Sequence, residues 1–129
     1  MEKTKHKRVK DKKIRAFKTA IQAVSGFERI VKKYIHSKNS GGVWAYIRHL
    51  SERERYAAKA VQSLETMLFE VAHSPKLTDD LYIEFAGRTY RVVSIDPYEF
   101  DKTDLVIRAE EVAPPVFDCV EWGNYNDKY

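Results

Sequence analysis

Side chains capable of chemistry are plentiful in this sequence, but their spacing assembles no reaction centre. Four histidines, His6, His36, His49 and His73, are scattered, and none has the spacing of a metal-binding motif. The single cysteine, Cys119, follows a Pro-Pro pair in the C-terminal tail, with no histidine near it in sequence to activate it. No glycine-rich phosphate cradle and no serine elbow occurs. Carboxylates such as Glu52, Glu54, Asp79, Asp80, Asp101 and Asp104 fall where turns and solvated faces place them. A carboxylate dyad brought together by the fold is the one catalytic arrangement that linear order leaves open. The expectation is a protein that is not an enzyme and uses no metal or cofactor.

Charge is the more informative signal. From Arg48 to Lys59 the chain is dense in charge and alanine, with Arg48, Glu52, Arg53, Glu54, Arg55 and Lys59 and neither Gly nor Pro, which favours helix. Ser51 and Glu54 have capping-box spacing, and Leu50, Ala57, Ala58, Val61 and Leu64 would form a thin apolar stripe. Two readings fit: a short helix crossing the end of a barrel, or a loop that reorders on assembly. A second concentration lies at the N-terminus. Residues 1–15 carry eight basic side chains (Lys3, Lys5, Lys7, Arg8, Lys10, Lys12, Lys13 and Arg15) against Glu2 and Asp11, a charge of +6. With +4 on the whole chain, the other 114 residues carry −2. The protein is therefore a near-neutral domain with a basic arm, expected to be flexible over residues 1–13. Such an arm touches nucleic acid or an acidic partner through phosphates or carboxylates, or simply keeps the chain soluble.

These segments must be positioned by a scaffold, and the scaffold reads as β. A length of 129 residues suits one domain. No apolar run approaches membrane-spanning length, no secretory leader is evident, and one cysteine fits a reducing cytoplasm. Val43–Ile47 is a β-branched and aromatic run, and Met67, Phe69 and Val71 alternate with Thr66, Leu68 and Glu70, as in a strand packed on one face. Leu81, Ile83 and Phe85 alternate likewise, Ala86-Gly87-Arg88 makes a tight hairpin into Thr89–Ile95, and Pro97 should end that strand. Asp101–Asp104 reads as a turn into Leu105–Glu110. Ile14 to His36 is ambiguous: Ile14, Phe17, Ile21, Val24, Phe27 and Tyr34 recur at helical spacing, interrupted by Ser25-Gly26, where two strands could equally meet. The expected fold is mainly β, a small antiparallel barrel or sandwich of about six strands over residues 14–112. A short helix or long loop is inserted around residues 51–62, within an excursion spanning 48–63. Beyond Ala113-Pro114-Pro115, the tail over 113–129 holds Phe117, Trp122 and Tyr125, aromatic anchors for a partner or for its own domain.

Read in order, Val43 to Val112 resembles the bacteriophage head–tail joining proteins. The resemblance rests on VWAYI, then LSERERYAAKAV in the style of Leu-Ser-x-x-Glu-x-x-x-Ala, the strand LETMLFEVAHS, the hairpin LYIEFAGRTYRVVSI with its Gly87-Arg88-x-Tyr90 turn, and LVIRAEEV. The chain departs from the family pattern at Glu52-Arg53-Glu54, where Gly-Arg-Glu is usual, and at the end of the strand before Ser74. The resemblance implies strands at Ile14–Gln22 and Phe27–His36, which barrel closure also needs. It implies a virion protein assembled in the bacterial cytoplasm. Its copies would form a ring, generally dodecameric, at the head–tail junction, although the lone subunit can be a monomer. The implied partners are the portal or adaptor, the tail completion or terminator protein, and phage DNA held without sequence preference in the channel; no membrane is involved. By position, Arg48–Ser63 corresponds to the family's channel loop. The rival reading is a stand-alone nucleic-acid-binding barrel with a basic arm, recognisable by steeply salt-dependent binding.

Overall fold

The computed structural model describes residues 9–49, 66–98 and 101–123. Eight strands make up one sheet: β1 (Lys12–Val24), β2 (Phe27–Tyr34), β3 (Val43–His49), β4 (Thr66–Ala72), β5 (Tyr82–Phe85), β6 (Arg88–Tyr98), β7 (Asp101–Val112) and β8 (Cys119–Glu121). Six of them close on one another in the order β3-β4-β7-β6-β5-β1, because the first residues of β1 pair back onto β3, with Ile14 opposite Val43. Every pairing in this ring is antiparallel. β2 continues the sheet outward from β1, and β8 adds to β2 in parallel.

The ring forms because alternate residues of its strands have somewhere dry to go. Ile14, Ala16, Ala45, Met67, Phe69, Val71, Ile83, Tyr90, Val92, Ile107 and Ala109 fill its interior with Leu81. Two hairpins turn through two residues with positive φ at both, Ser25-Gly26 (52° and 81°) and Ala86-Gly87 (54° and 78°), the geometry that matches strand twist. Gly42 is also obligatory: at φ 132° an added Cβ would lie 2.1 Å from the Ile14 carbonyl oxygen, where β1 meets β3.

The mainly β fold and the strands implied for 14–36 are present, and the helical spacing there is overturned. Ile14 and Ala16 face the ring core, while Phe17 is buried in a second cluster on the outer face and Ile21 is exposed. Apolar residues on both faces of β1 blur the two-residue alternation and leave spacings that imitate a helix. β4 is likewise buried on both faces from Thr66 to Val71, Glu70 included, rather than packed on one. Asp101–Asp104 belongs to β7, not to a turn. β6 runs through Pro97, because among the described residues it has only β7 beside it at that point, so the missing N–H costs no second ladder bond. β1 begins at Lys12, taking the last residues of the expected arm into the sheet. The expected helix or loop around 51–62 lies outside the described residues.

Candidate functional site

Three surfaces carry the residues singled out by sequence. The first is the rim where β3 gives way to β4. His49 pairs with Met67, so residues 50–65 leave and re-enter the sheet at neighbouring positions, where a turn of two to five residues would close the hairpin. Arg48 stands at this rim, its Nε 4.0 Å from a carboxylate oxygen of Glu70, which is 2% exposed. Cross-strand register places Leu68 between Arg48 and Arg108, so both arginines occupy positions diagonal to Glu70. Glu52, Arg53, Glu54, Arg55 and Lys59 lie outside the described residues.

The second surface is the start of β1. Lys10 bonds Asp104 at 3.0 Å. Lys12 approaches Asp11 at 3.6 Å. Lys13 donates to the Ser40 carbonyl and sits 4.8 Å over the Trp44 ring. Lys10 and Lys13 are thus tied to the domain through side-chain contacts, Lys12 reaches the neighbouring Asp11, and Lys3, Lys5, Lys7 and Arg8 lie outside the described residues.

The third surface is a clamp that sequence reasoning missed. On the outer face of β1, β2 and β5, the Lys32 ammonium bonds Glu84, and the Tyr34 hydroxyl donates to the other oxygen of Glu84 at 2.6 Å. Aromatic rings wall Lys32 in, with Phe17 at 4.5 Å, Tyr34 at 5.2 Å and Phe117 at 4.6 Å. The tail closes over this cluster. Asp118 accepts from the Ile30 amide at 2.7 Å, β8 pairs with Val31–Lys33, and Trp122 stacks on Tyr34 with centroids 4.2 Å apart. Arg15 lies beside this stack, its guanidinium carbon 5.4 Å from the Trp122 ring and 5.8 Å from the Tyr34 ring. Phe117 and Trp122 are therefore seated on their own domain, and Tyr125 lies outside the described residues. No local signal in the sequence tied Lys32 and Tyr34 to Glu84, which lies 52 and 50 positions away.

Protonation holds the clamp together. Burial alone would lower the Lys32 pKa, but its hydrogen bonds to Glu84 and Tyr34 and the Glu84 charge outweigh burial, raising it above 10.5. Burial, followed by the bond to Glu84, raises Tyr34 above 10.0. Both groups hold their protons more tightly folded than unfolded, so their stabilisation is complete at neutral pH and falls as pH rises through the raised values. In a Trp44→Phe variant, where Trp122 is the remaining indole, fluorescence should stay constant up to pH 10 and change above it. A change completed below pH 10 would contradict this assignment.

His36 is 0% exposed, and its Nε2 accepts from the Ala16 amide at 3.3 Å, a structural use of the ring. Among the described residues no cluster of His, Cys, Asp or Glu could hold a metal ion.

Comparison with known proteins relates this chain to a protein family and to solved structures. The sequence profile of phage head completion proteins matches residues 12–112, the whole span from β1 to the end of β7. The solution structure of protein SF1141 from Shigella flexneri 2a aligns over 81% of this chain and 94% of its own, with a TM-score of 0.61 at 17% identity. A chain from the virion of a native gene transfer agent particle aligns over 77% of this chain and 92% of its own, with a TM-score of 0.47 at 16% identity. Among curated protein sequences none matches.

Proposed function

This chain belongs to the phage head completion protein family, a structural component of the phage virion, and from that premise we propose that it forms a ring at the head–tail junction. The ring closes the DNA-filled capsid and presents the surface to which the tail attaches. Its neighbours are the portal or adaptor on the head side, the tail completion or terminator protein on the other, and further copies of itself, generally twelve. DNA passes through the centre without being read.

The observation carrying this reading is the excursion over residues 50–65. The residues that flank it, His49 and Met67, are paired neighbours on one ring rim, where a short turn would be enough to join β3 to β4. Arg48, Arg53, Arg55 and Lys59 with Glu52 and Glu54 give it both signs of charge. Such a segment can pair with its neighbours' copies when shut, yet does not hold phosphates as a uniformly basic lining would. Its role is a gate in the channel. Lys3, Lys5, Lys7 and Arg8 of the basic arm supply contacts to DNA, and the tail, with Phe117 39% exposed where it lies on the domain, supplies a surface to partner proteins.

Deleting residues 51–60 should leave the subunit folded, since His49 and Met67 remain adjacent, and should yield particles that lose packaged DNA. Nuclease protection of DNA in assembled particles measures this. Full retention would overturn the gate, and steeply salt-dependent DNA binding by the free monomer would favour the stand-alone nucleic-acid reading.

A further inference from the structure

His36 sits where β1, the chain just past β2 and the tail meet, and none of its surface is exposed. Its neighbours fix its protonation state. A backbone N–H can only donate, so the bond from the Ala16 amide requires a lone pair on Nε2. The imidazole proton is then on Nδ1, which lies 3.3 Å from the Ser37 carbonyl and donates to it. The ring is therefore neutral. A second proton could go only onto Nε2, where it would oppose the Ala16 N–H and deprive that buried amide of this acceptor.

The same residue holds the tail. The His36 carbonyl accepts from the Gly123 amide at 2.9 Å, and the Trp122 ring lies 6.0 Å from the imidazole. Tyr34, stacked on Trp122, flanks the imidazole at 5.4 Å. The seat is close-fitting, since a Cβ added at Gly123 would lie 2.6 Å from the Ile35 carbonyl oxygen. Nearby charges do not favour an imidazolium. On β1, the Arg15 guanidinium lies against the Trp122 and Tyr34 rings and adds a like charge, while Lys13 is bonded to the Ser40 carbonyl. On β5, the Glu84 carboxylate is already engaged by Lys32 and the Tyr34 hydroxyl. On the tail, Trp122 is uncharged and Asp118 is bonded to the Ile30 amide.

We propose that His36 is an acid-operated latch for the tail: protonation of its ring and docking of residues 117–123 exclude each other. A solvated imidazole takes up its second proton near pH 6.5. Below that pH the released state binds one proton more than the docked state. Docking is therefore fully favoured above pH 6.5, and the docked-to-released ratio falls by about tenfold for each pH unit below it. Raising the pH from neutral acts instead through Lys32 and Tyr34, so the tail is held most firmly between these two limits. Release uncovers the edge of β2 at Val31–Lys33.

Nitrogen-15 NMR and amide hydrogen exchange of the full chain test this between about pH 7.5 and 5, above the range in which an ordinary carboxylate takes up its proton. At the upper limit His36 should show a protonated Nδ1 and an unprotonated Nε2. Protection of the Gly123 amide, relative to an unstructured chain, should be level above pH 6.5 and fall about tenfold per unit below it. His36→Gln places an oxygen that does not titrate where Nε2 accepts, and should leave this protection level throughout. The Phe69 amide in the middle of β4 should also stay level in the parent. A protonated Nε2 at the upper limit would overturn the latch, as would Gly123 protection that does not fall in the parent. The same fall in His36→Gln would assign the release to another group and overturn it too. Should that variant not fold, the parent still decides: a fall at Phe69 parallel to that at Gly123 would mean acid unfolding of the whole domain and no latch.

Discussion

Phe69→Ala should lower the free energy of unfolding by about 3–5 kcal/mol. Phe69 is 0% exposed at the middle of β4, in register between Ile47 of β3 and Ile107 of β7. Its ring meets Tyr90 edge-on at 5.5 Å and Phe85 at 6.5 Å, so it joins β4 to β5 and β6 across the interior. Truncation removes transfer free energy and both edge contacts, and leaves a cavity that strands held in a closed ring cannot collapse to fill. Domains of this size have about 5–15 kcal/mol in total, so the variant should be only marginally folded. Phe69→Leu keeps most of the volume and should cost about 1–1.5 kcal/mol. Urea unfolding followed by fluorescence measures both. A loss below about 1 kcal/mol for the alanine variant would mean that the ring interior is loosely packed.

Glu84→Ala should be the most damaging change on the outer face, at about 3 kcal/mol. The Glu84 side chain is 25% exposed and its partner on Lys32 only 10%, so the pair is shielded enough for its loss to matter. Removing Glu84 strips the ammonium of its counter-charge and the Tyr34 hydroxyl of its acceptor together, leaving Lys32 enclosed by rings. Lys32→Met should be milder by at least about 1 kcal/mol, because an apolar chain suits the same rings and Glu84 can still accept from Tyr34. The tail should report the difference. Amide exchange at Cys119–Glu121 should speed up strongly in Glu84→Ala and weakly in Lys32→Met, since Phe117 packs on Lys32 and Trp122 on Tyr34. Equal effects of the two substitutions would show that packing, and not charge pairing, holds the tail.

Strands whose core-facing apolar residues alternate with polar-tipped ones could be read directly. Leu81, Ile83 and Phe85 alternate, the Ala86-Gly87 turn is punctuated by glycine, and the excursion after Arg48 stood out by charge. Where both faces are covered, alternation disappears. The outer partners of Phe17 and the two-sided burial of β4 hid the true period of β1 and the buried position of Glu70. Cys119–Glu121 is too short to carry a period of its own and becomes a strand only because the edge of β2 is there to receive it.

By itself, then, the sequence determined a β domain, the place and charge of its excursion, the basic N-terminal segment, and a resemblance to the family to which the chain belongs. These are local properties, set by alternation, turn residues and composition within a few positions. Tertiary structure alone decided that β1 closes onto β3, that the tail is clamped by Lys32, Glu84 and Tyr34, and that the β1–β2 hairpin stands clear of the ring. Each depends on residues far apart in the chain, such as Lys32 and Glu84, 52 positions apart, and Lys10 and Asp104, 94 apart. Closing such loops costs entropy that only the finished ring repays, so no short stretch of sequence announces the contact.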